Sequence, residues 1–346
     1  MNKVNKDIVI LGIESSCDDT SIGISKNGTI LTNIVSSQNI HQKYGGVVPE
    51  LASREHQKNI IPTLSSALDD AKISLSEIDG IAFTKGPGLM GSLLVGSSFA
   101  KSLALSLNKP LIGINHMEAH VLANFIDNDI KLPCICLTAS GGHTELVLVE
   151  NINNMSIIGK TLDDSAGETF DKCAKIIGLP YPGGPQIEKY ARNGNDKKFK
   201  FTIPRVDNLN FSFSGLKTNI IRLIEKEVSY NKDFIKDNLY DLCASIQNVI
   251  IETLIQKLEL ALTYFSIKTI AISGGVAANE LFRKRIVEIE KVLKVDISIP
   301  QKEYSTDNGA MISIAGHYKY EMKEFSELSI NIDPRHKIKT YKLKNK

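Results

Sequence analysis

Apolar positions along the chain change period in a repeating order. DIVILGIE (7–14) is a nearly continuous apolar run closed by the polar cluster SSCDDT. TSIGIS and TILTNIV follow as alternating or β-branched strands, and Asn27-Gly28 between them is a hairpin signal. From Pro49 to about Asp70, Leu51, Ile60, Ile61, Leu64 and Leu68 recur at helical spacing. GIAFTKG then reads as a buried strand, GPGLMGSLLVGSSFAKSLALSL as glycines opening a helix, LIGIN as a strand and HMEAHVLANF as a helix. After this the order restarts. Pro133 to Leu137 is a strand, ASGGHT a turn, ELVLVE a strand, and SIIGKT continues the sheet. Helical stretches follow near 166–177, 214–228 and 236–265. KTIAISGG is a strand running into glycines, NELFRKRIVEIE a helix, and a last helix covers about Asp307 to Tyr320.

Two internal echoes fall in the same order in both halves. IESSCDDTSIGIS resembles LTASGGHTELVLV, each a strand, a small polar turn, Thr and a strand. DGIAFTKGPGLMGSLL resembles KTIAISGGVAANELF, each a strand, a glycine turn and a helix. The pattern predicts a duplicated α/β unit rather than a short-period repeat. It divides the chain into domains 1–131 and 132–346, with the terminal helix free to pack back on the first. Two such units facing each other would set four polar or glycine turns around one central cleft. Exposed backbone N–H groups and helix N-termini there would suit phosphates.

Composition narrows the class without naming it. With 346 residues, 42% hydrophobic and 23% charged, the chain has room for two cores and is neither disordered nor fibrous. A net charge of +2 does not announce a nucleic-acid binder, although Lys197, Lys198 and Lys200, Arg283, Lys284 and Arg285, and the tail from Lys337 to Lys346 are basic clusters. Five cysteines without a C-x-x-C argue against a disulfide framework and favour a reducing compartment. Asp7 and Glu14 interrupt the short apolar N-terminus, and the stretch 248–265 contains Glu252, Lys257 and Glu259. These features point to a cytoplasmic protein without a membrane span.

Several residues carry candidate chemistry. His116 and His120 in NHMEAH lie one helical turn apart on one face, with Asn115 as a cap, a spacing that suits a divalent metal. Two ordinary helix-surface histidines would have the same spacing. A zinc protease would need H-E-x-x-H; here Met117 follows the first His, and Glu118 points about 200° away from it. Ser140-Gly141-Gly142 and Ser273-Gly274-Gly275 lie at strand ends, where glycines admit a ligand to the backbone or simply make a turn. Asp307 and Asn279 read equally as helix caps, Asp171 as an exposed helical carboxylate, and Pro182-Gly183-Gly184-Pro185 as a rigid turn.

Together these segments resemble the tRNA threonylcarbamoyladenosine transferase family, once described as a glycoprotease. The resemblance runs through GIESSCDDT, GGVVPELASREH, GPGLMGSL, NHMEAH, SGGHTEL, DDSAGETFDK, YPGGP, FSFSGLKT, SGGVAAN and STDNGAM, in family order. Ala119 stands where the family often has Gly and Ala277 where it often has Ser, and neither change removes a ligand side chain. The resemblance implies a duplicated actin-like, sugar-kinase-like (ASKHA) α/β fold, with two mixed-sheet domains around a nucleotide cleft. It implies His116, His120 and Asp307 as ligands of a divalent transition metal, iron(II) or alternatively zinc. Thr138, Ala139, Ser140, Gly141 and Gly142 would bind the activated substrate, and Asp171, Gly184, Glu188 and Asn279 its nucleoside part. No residue is assigned as a general base. The implied reaction moves threonylcarbamoyl from its adenylate to the N6 amine of the adenine 3′ to the anticodon, in tRNAs reading A-starting codons, with release of AMP. The implied partners are tRNA, a smaller paralogous subunit and an ATPase. An ATP-dependent kinase of the same fold, a small-metabolite carbamoyltransferase and a non-catalytic nucleotide-gated subunit are the rival readings.

Overall fold

The computed structural model describes residues 7–202 and 206–341, so residues 342–346 of the lysine-rich tail lie outside the described residues. In chain order the strands are β1 (Val9–Glu14), β2 (Asp19–Lys26), β3 (Thr29–Ser37), β4 (Gly80–Gly86), β5 (Leu111–Asn115), β6 (Cys134–Ala139), β7 (Thr144–Asn151), β8 (Asn154–Lys160), β9 (Thr269–Ser273), β10 (Asp296–Ser298) and β11 (Lys339–Thr340). The helices are α1 (Pro49–Ala71), α2 (Met90–Leu107), α3 (His116–Leu122), α4 (Ala166–Ile176), α5 (Gly183–Ala191), α6 (Ser214–Tyr230), α7 (Phe234–Asp237), α8 (Leu239–Phe265), α9 (Glu280–Leu293) and α10 (Gly309–Glu321). The chain forms two compact units, one of Met1–Asp129 with Pro300–Ile338, the other of Ile130–Ile299 with Lys339–Lys346.

The first unit is built on a five-stranded sheet in the order β3-β2-β1-β4-β5. β1 runs antiparallel to β2 and parallel to β4, which makes it an interior strand, and all six of its residues are buried, in keeping with its nearly unbroken apolar run. The hairpin falls where Asn27 and Gly28 both take positive φ (51° and 80°), the primed turn that the strand twist favours. α10 returns to lie across β1 and β2. It approaches so closely that a Cβ on Gly12 or Gly23 would overlap its backbone.

The second unit repeats the plan with the order β10-β9-β6-β7-β8, extended by β11 pairing parallel to β8. β6 is antiparallel to β7 and parallel to β9, as β1 is to β2 and β4. The two echoes in the sequence are therefore equivalent pieces: β1-turn-β2 with β6-turn-β7, and β4–α2 with β9–α9. The 27-residue α8 packs on α5 and carries much of this unit's core through Leu242, Ile246, Ile250, Leu254 and Leu258.

Two sequence readings change. YPGGP is the start of α5, not a rigid turn: Pro182 is the cap, Pro185 lies in the first turn where a missing N–H costs nothing, and a Cβ on Gly183 would press on Ala174 and Asp171. Among the described residues the helix with the length and composition to cross a bilayer is α2, with mean hydropathy 1.3 over 18 residues, rather than 248–265. Its Ser92, Leu93, Gly96 and Ala100 are buried, and the helix packs on β4 and α1.

Candidate functional site

In the first unit, β5 delivers the chain directly into α3. The Asn115 side chain accepts hydrogen bonds from Met117 and Glu118 N–H and caps the helix. This cap sets His116 as the first helical residue and His120 one turn on, with ring centroids 4.6 Å apart. Asp307 joins them from just before α10. A cap was one reading of Asp307, but Asn308 fills that role, its side chain accepting Met311 N–H. The Asp307 carboxylate is left to face the imidazoles, with Oδ1 3.0 Å from His120 Nε2 and 3.5 Å from His116 Nε2. Glu118 lies apart from this group, in the field of Lys319 and Glu324, and burial pushes its pKa up.

The cluster has the donor set of a metal site. Ligand atoms of His116, His120 and Asp307 all lie within 4.8 Å of one another. Neighbouring donors on an ion about 2.1 Å away sit about 3.0–3.5 Å apart, close to the separations seen. The surroundings are acidic. Burial pushes the Asp19 carboxyl up to about 7, helped by the charges of Asp307, Asp18 and Glu14 and opposed by a hydrogen bond from Ser37. Burial disfavours charge on His116 too, yet Glu14 and Asp307 outweigh it and hold the imidazole well above its usual range. Burial likewise opposes ionisation of Asp307, and His116 and His120 more than offset it, so its carboxylate lies well below the usual range. In the metal-free chain a proton on His116 thus supplies the positive charge that these carboxylates require. The donor types and the excess of negative charge fit a divalent cation.

One contributor escaped the sequence reading. Glu14 is fully buried at the end of β1, and its Oε2 lies 3.0 Å from His116 Nδ1. The only local signal was a carboxylate closing an apolar strand.

In the second unit the residues implied for substrate fall at the carboxyl ends of β6 and β9 and on the helices beyond. Thr138 and Ala139 are buried, and Thr138 Oγ1 lies 2.8 Å from Ser273 Oγ, so neither presents a side chain outward. Ser140 Oγ accepts the His143 N–H and tightens the turn. Gly141 accepts a hydrogen bond from Ser165 Oγ, while Gly167 N–H donates to Ser140 C=O, which docks the start of α4 beneath the turn. Open space distinguishes the glycines. A Cβ on Gly167 or Gly274 would overlap the backbone of Ser140 or Ala139, whereas one on Gly141, Gly142 or Gly275 would meet nothing within 4 Å, and one on Gly184 only Phe170 at 3.9 Å. Gly167 and Gly274 are required by packing; the other four leave room for a ligand at the backbone.

The three polar residues implied for the nucleoside are tied to helix starts. Asp171 accepts Gly183 N–H at the head of α5, and Glu188 accepts Glu280 N–H at the head of α9. Asn279 caps α9 through Phe282 N–H and donates to Gln247. A clamp explains two further motifs: Asp163 accepts bonds from the N–H groups of Phe213 and Ser214 and from the hydroxyls of Ser212 and Ser214, joining DDSAGETFDK to FSFSGLKT. The basic clusters are partly neutralised, Lys198 by Asp241 and Arg285 by Glu252 and Glu288.

The repeated sheet order defines an actin-like, sugar-kinase-like protein, and solved structures agree. HypF from T. kodakarensis is 16% identical with a TM-score of 0.61, covering 92% of this chain and 50% of that one. Component A of (R)-2-hydroxyglutaryl-CoA dehydratase from Acidaminococcus fermentans is 15% identical with a TM-score of 0.53, covering 91% and 99%. At such identity the likeness concerns fold. Sequence carries the rest: residues 29–314 match the TsaD family, described as tRNA N6-adenosine threonylcarbamoyltransferase. A protein of that name from Christiangramia forsetii is 52% identical over 335 residues, covering 96% of this chain and 98% of its own length. Another, from Riemerella anatipestifer, is 52% identical over 337 residues, covering 96% and 99%. The chain belongs to the tRNA N6-adenosine threonylcarbamoyltransferase family of tRNA-modifying transferases.

Proposed function

We propose that this chain transfers threonylcarbamoyl from threonylcarbamoyl-adenylate to the N6 amine of the adenine 3′ to the anticodon in tRNAs reading A-starting codons. The amine nitrogen bonds to the carbamoyl carbon, the bond from that carbon to the phosphate oxygen breaks, AMP leaves, and the amine loses a proton. The observation that carries this reading is the convergence of His116, His120 and Asp307 in a chain of this family. These three residues would hold the metal, iron(II) or alternatively zinc. When bound, the ion would polarise substrate oxygens and offset developing negative charge.

The second unit would hold the adenylate. Gly141 and Gly142 have room for a phosphate against the backbone, and Gly275, after β9, and Gly184, at the head of α5, have similar room. Asp171, Glu188 and Asn279, already fixed at the heads of α5 and α9, would form a rigid wall for the nucleoside. The acceptor base comes from an anticodon loop, where it is single-stranded and need not be drawn out of a duplex. With +2 net charge and several basic residues neutralised internally, the chain has a weak grip on tRNA alone. The smaller paralogous subunit and the ATPase of the same pathway would supply what is missing, in the cytoplasm.

The test is to mix the protein and those partners with threonylcarbamoyl-adenylate labelled in the threonine and with unmodified tRNA. Label should move to tRNAs reading A-starting codons, and Asp307→Ala should stop it. Label passing to a small metabolite, or only to water, refutes the acceptor. Full turnover by the isolated chain, unchanged by the partners, refutes the need for them.

A further inference from the structure

The apolar run of β1 ends on a carboxylate with no exposure to solvent, a position at which a charged side chain needs partners. Glu14 has three, from three parts of the first unit. Its Oε1 accepts Ser16 N–H, and its Oε2 accepts both the Thr84 hydroxyl at 2.6 Å and His116 Nδ1–H at 3.0 Å. A carboxylate is an acceptor only, so this contact requires the proton on Nδ1. Ser16 Oγ also lies 3.2 Å from Nδ1, but a hydroxyl can donate or accept and does not choose between tautomers. Glu14 makes that choice for a metal-bound ring, in which an ion would take the place of the proton on Nε2, the nitrogen that faces Asp307 Oδ1.

The other histidine is held differently. His120 Nδ1 has no hydrogen-bond partner among the described residues, and the ring is fully buried. No group holds a proton on Nδ1, and in the metal-free chain the 3.0 Å contact of Nε2 to Asp307 Oδ1 places the ring proton on Nε2 instead.

We propose that Glu14 is a positioning residue for the metal ligand His116, setting its tautomer and ring orientation so that Nε2 is the coordinating atom. The inference rests on the metal reading of His116, His120 and Asp307. The competing role is a strut: Glu14 could serve only to tie the turn after β1 to β4.

The test uses the full chain stripped of metal and titrated with zinc against a chromophoric chelator, then with cobalt(II) for its visible absorbance. Glu14→Gln, whose amide oxygen can still accept from Nδ1, and Glu14→Ala, which cannot, should weaken zinc binding by about 10-fold and up to about 100-fold respectively. Both should shift the cobalt spectrum, while Thr84→Val, which removes a support of Glu14 and not the contact to His116, should weaken zinc less than either. In the zinc-loaded parent labelled with 15N-histidine, His116 should carry its proton on Nδ1 and the metal on Nε2. This last measurement keeps the proposal open to refutation even if Glu14→Ala does not fold. Glu14 variants that bind zinc within about threefold of the parent, with unchanged cobalt spectra, leave only the strut and overturn the proposal. Zinc on Nδ1 of His116 overturns it as well. A parent chain that takes up no zinc or cobalt overturns the metal reading itself and this inference with it.

Discussion

The turn after β1 and the turn after β6 hold equivalent places in the two halves, and they have been put to opposite uses. Ser15 and Ser16 are buried, and Cys17 and Asp18 half-buried. Ser15 Oγ donates to Ser92 C=O, while Cys17 C=O takes Ser92 Oγ and lies 2.9 Å from His56 Nε2. Glycines 88 and 96 on the α2 side make room for the backbone and hydroxyls of Ser15 and Ser16. Residues 140–143 are instead propped from beneath by Ser165 and Gly167 and left open above. A filled turn can support a side-chain constellation, here by holding Glu14 and Ser16 against His116. An open turn can only offer backbone. Duplication supplied two copies of one scaffold, and the small residues decided which copy kept room for a ligand.

The largest effect should come from removing a candidate metal ligand of the filled side. His120→Ala should take the chain from about one transition metal to almost none, read by elemental analysis, and cut transfer at least about a hundredfold. Unchanged metal content would break the comparison at its first term. Gly142→Val should do the reverse, weakening a non-hydrolysable adenylate about tenfold by calorimetry while metal content and melting temperature stay near the parent's. Gly274→Ala separates open glycines from required ones: with φ at +84° and Ala139 in the way, it should cost about 1–3 kcal/mol in chemical unfolding. Asn279→Ala should cost about 1 kcal/mol by loss of the α9 cap, and less adenylate affinity than stability if its part is to hold the wall.

A separate effect is a pH dependence confined to the filled side. In the metal-free chain Asp19 is a weaker acid folded, at about 7, than at its ordinary 3.8, first because of burial and then because of nearby carboxylates. Between those values the native state binds the proton more tightly, so stability is lost as pH rises from about 4 to about 7 and is level above. Asp19→Asn removes that cost. Its gain in melting temperature should be full above pH 7, fade toward pH 4, and shrink when zinc is bound. A gain independent of pH would mean that Asp19 is not under this strain.

Much of this was legible in the sequence where the rule is local. The i, i+4 histidines, the Asn115 cap, the Asn27-Gly28 hairpin and the two echoes each depend on neighbours within a turn or a strand, and each is found in place. Asp307 shows where local rules stop. An Asp before a helix suggests a cap, and only Asn308 taking that role releases Asp307 to the histidines. Glu14 was invisible for a stronger reason, since its partner is 102 residues away and nothing in VILGIE announces it. YPGGP misled because proline and glycine signal turns in general, although proline in a first helical turn is the one place where the helix tolerates it. Asp171 and Glu188 illustrate a different limit: a carboxylate looks the same in sequence whether it holds a ligand or a helix start.

The return of α10 has a consequence for the order in which the protein is made. Chains emerge N-terminus first and domains fold as units. Both histidines and Glu14 emerge early, but Asp307 lies 187 residues beyond His120, on the segment that also covers β1 and β2. A nascent chain that has emerged only through Ile299 has two imidazoles, no third ligand and a bare sheet face where Gly12 and Gly23 await α10. The donor set and the first unit's packing are therefore completed by the same late segment. A stalled or truncated chain that lacks it should be blank toward metal as well as incompletely packed, so loading with an ion would report that synthesis has passed α10.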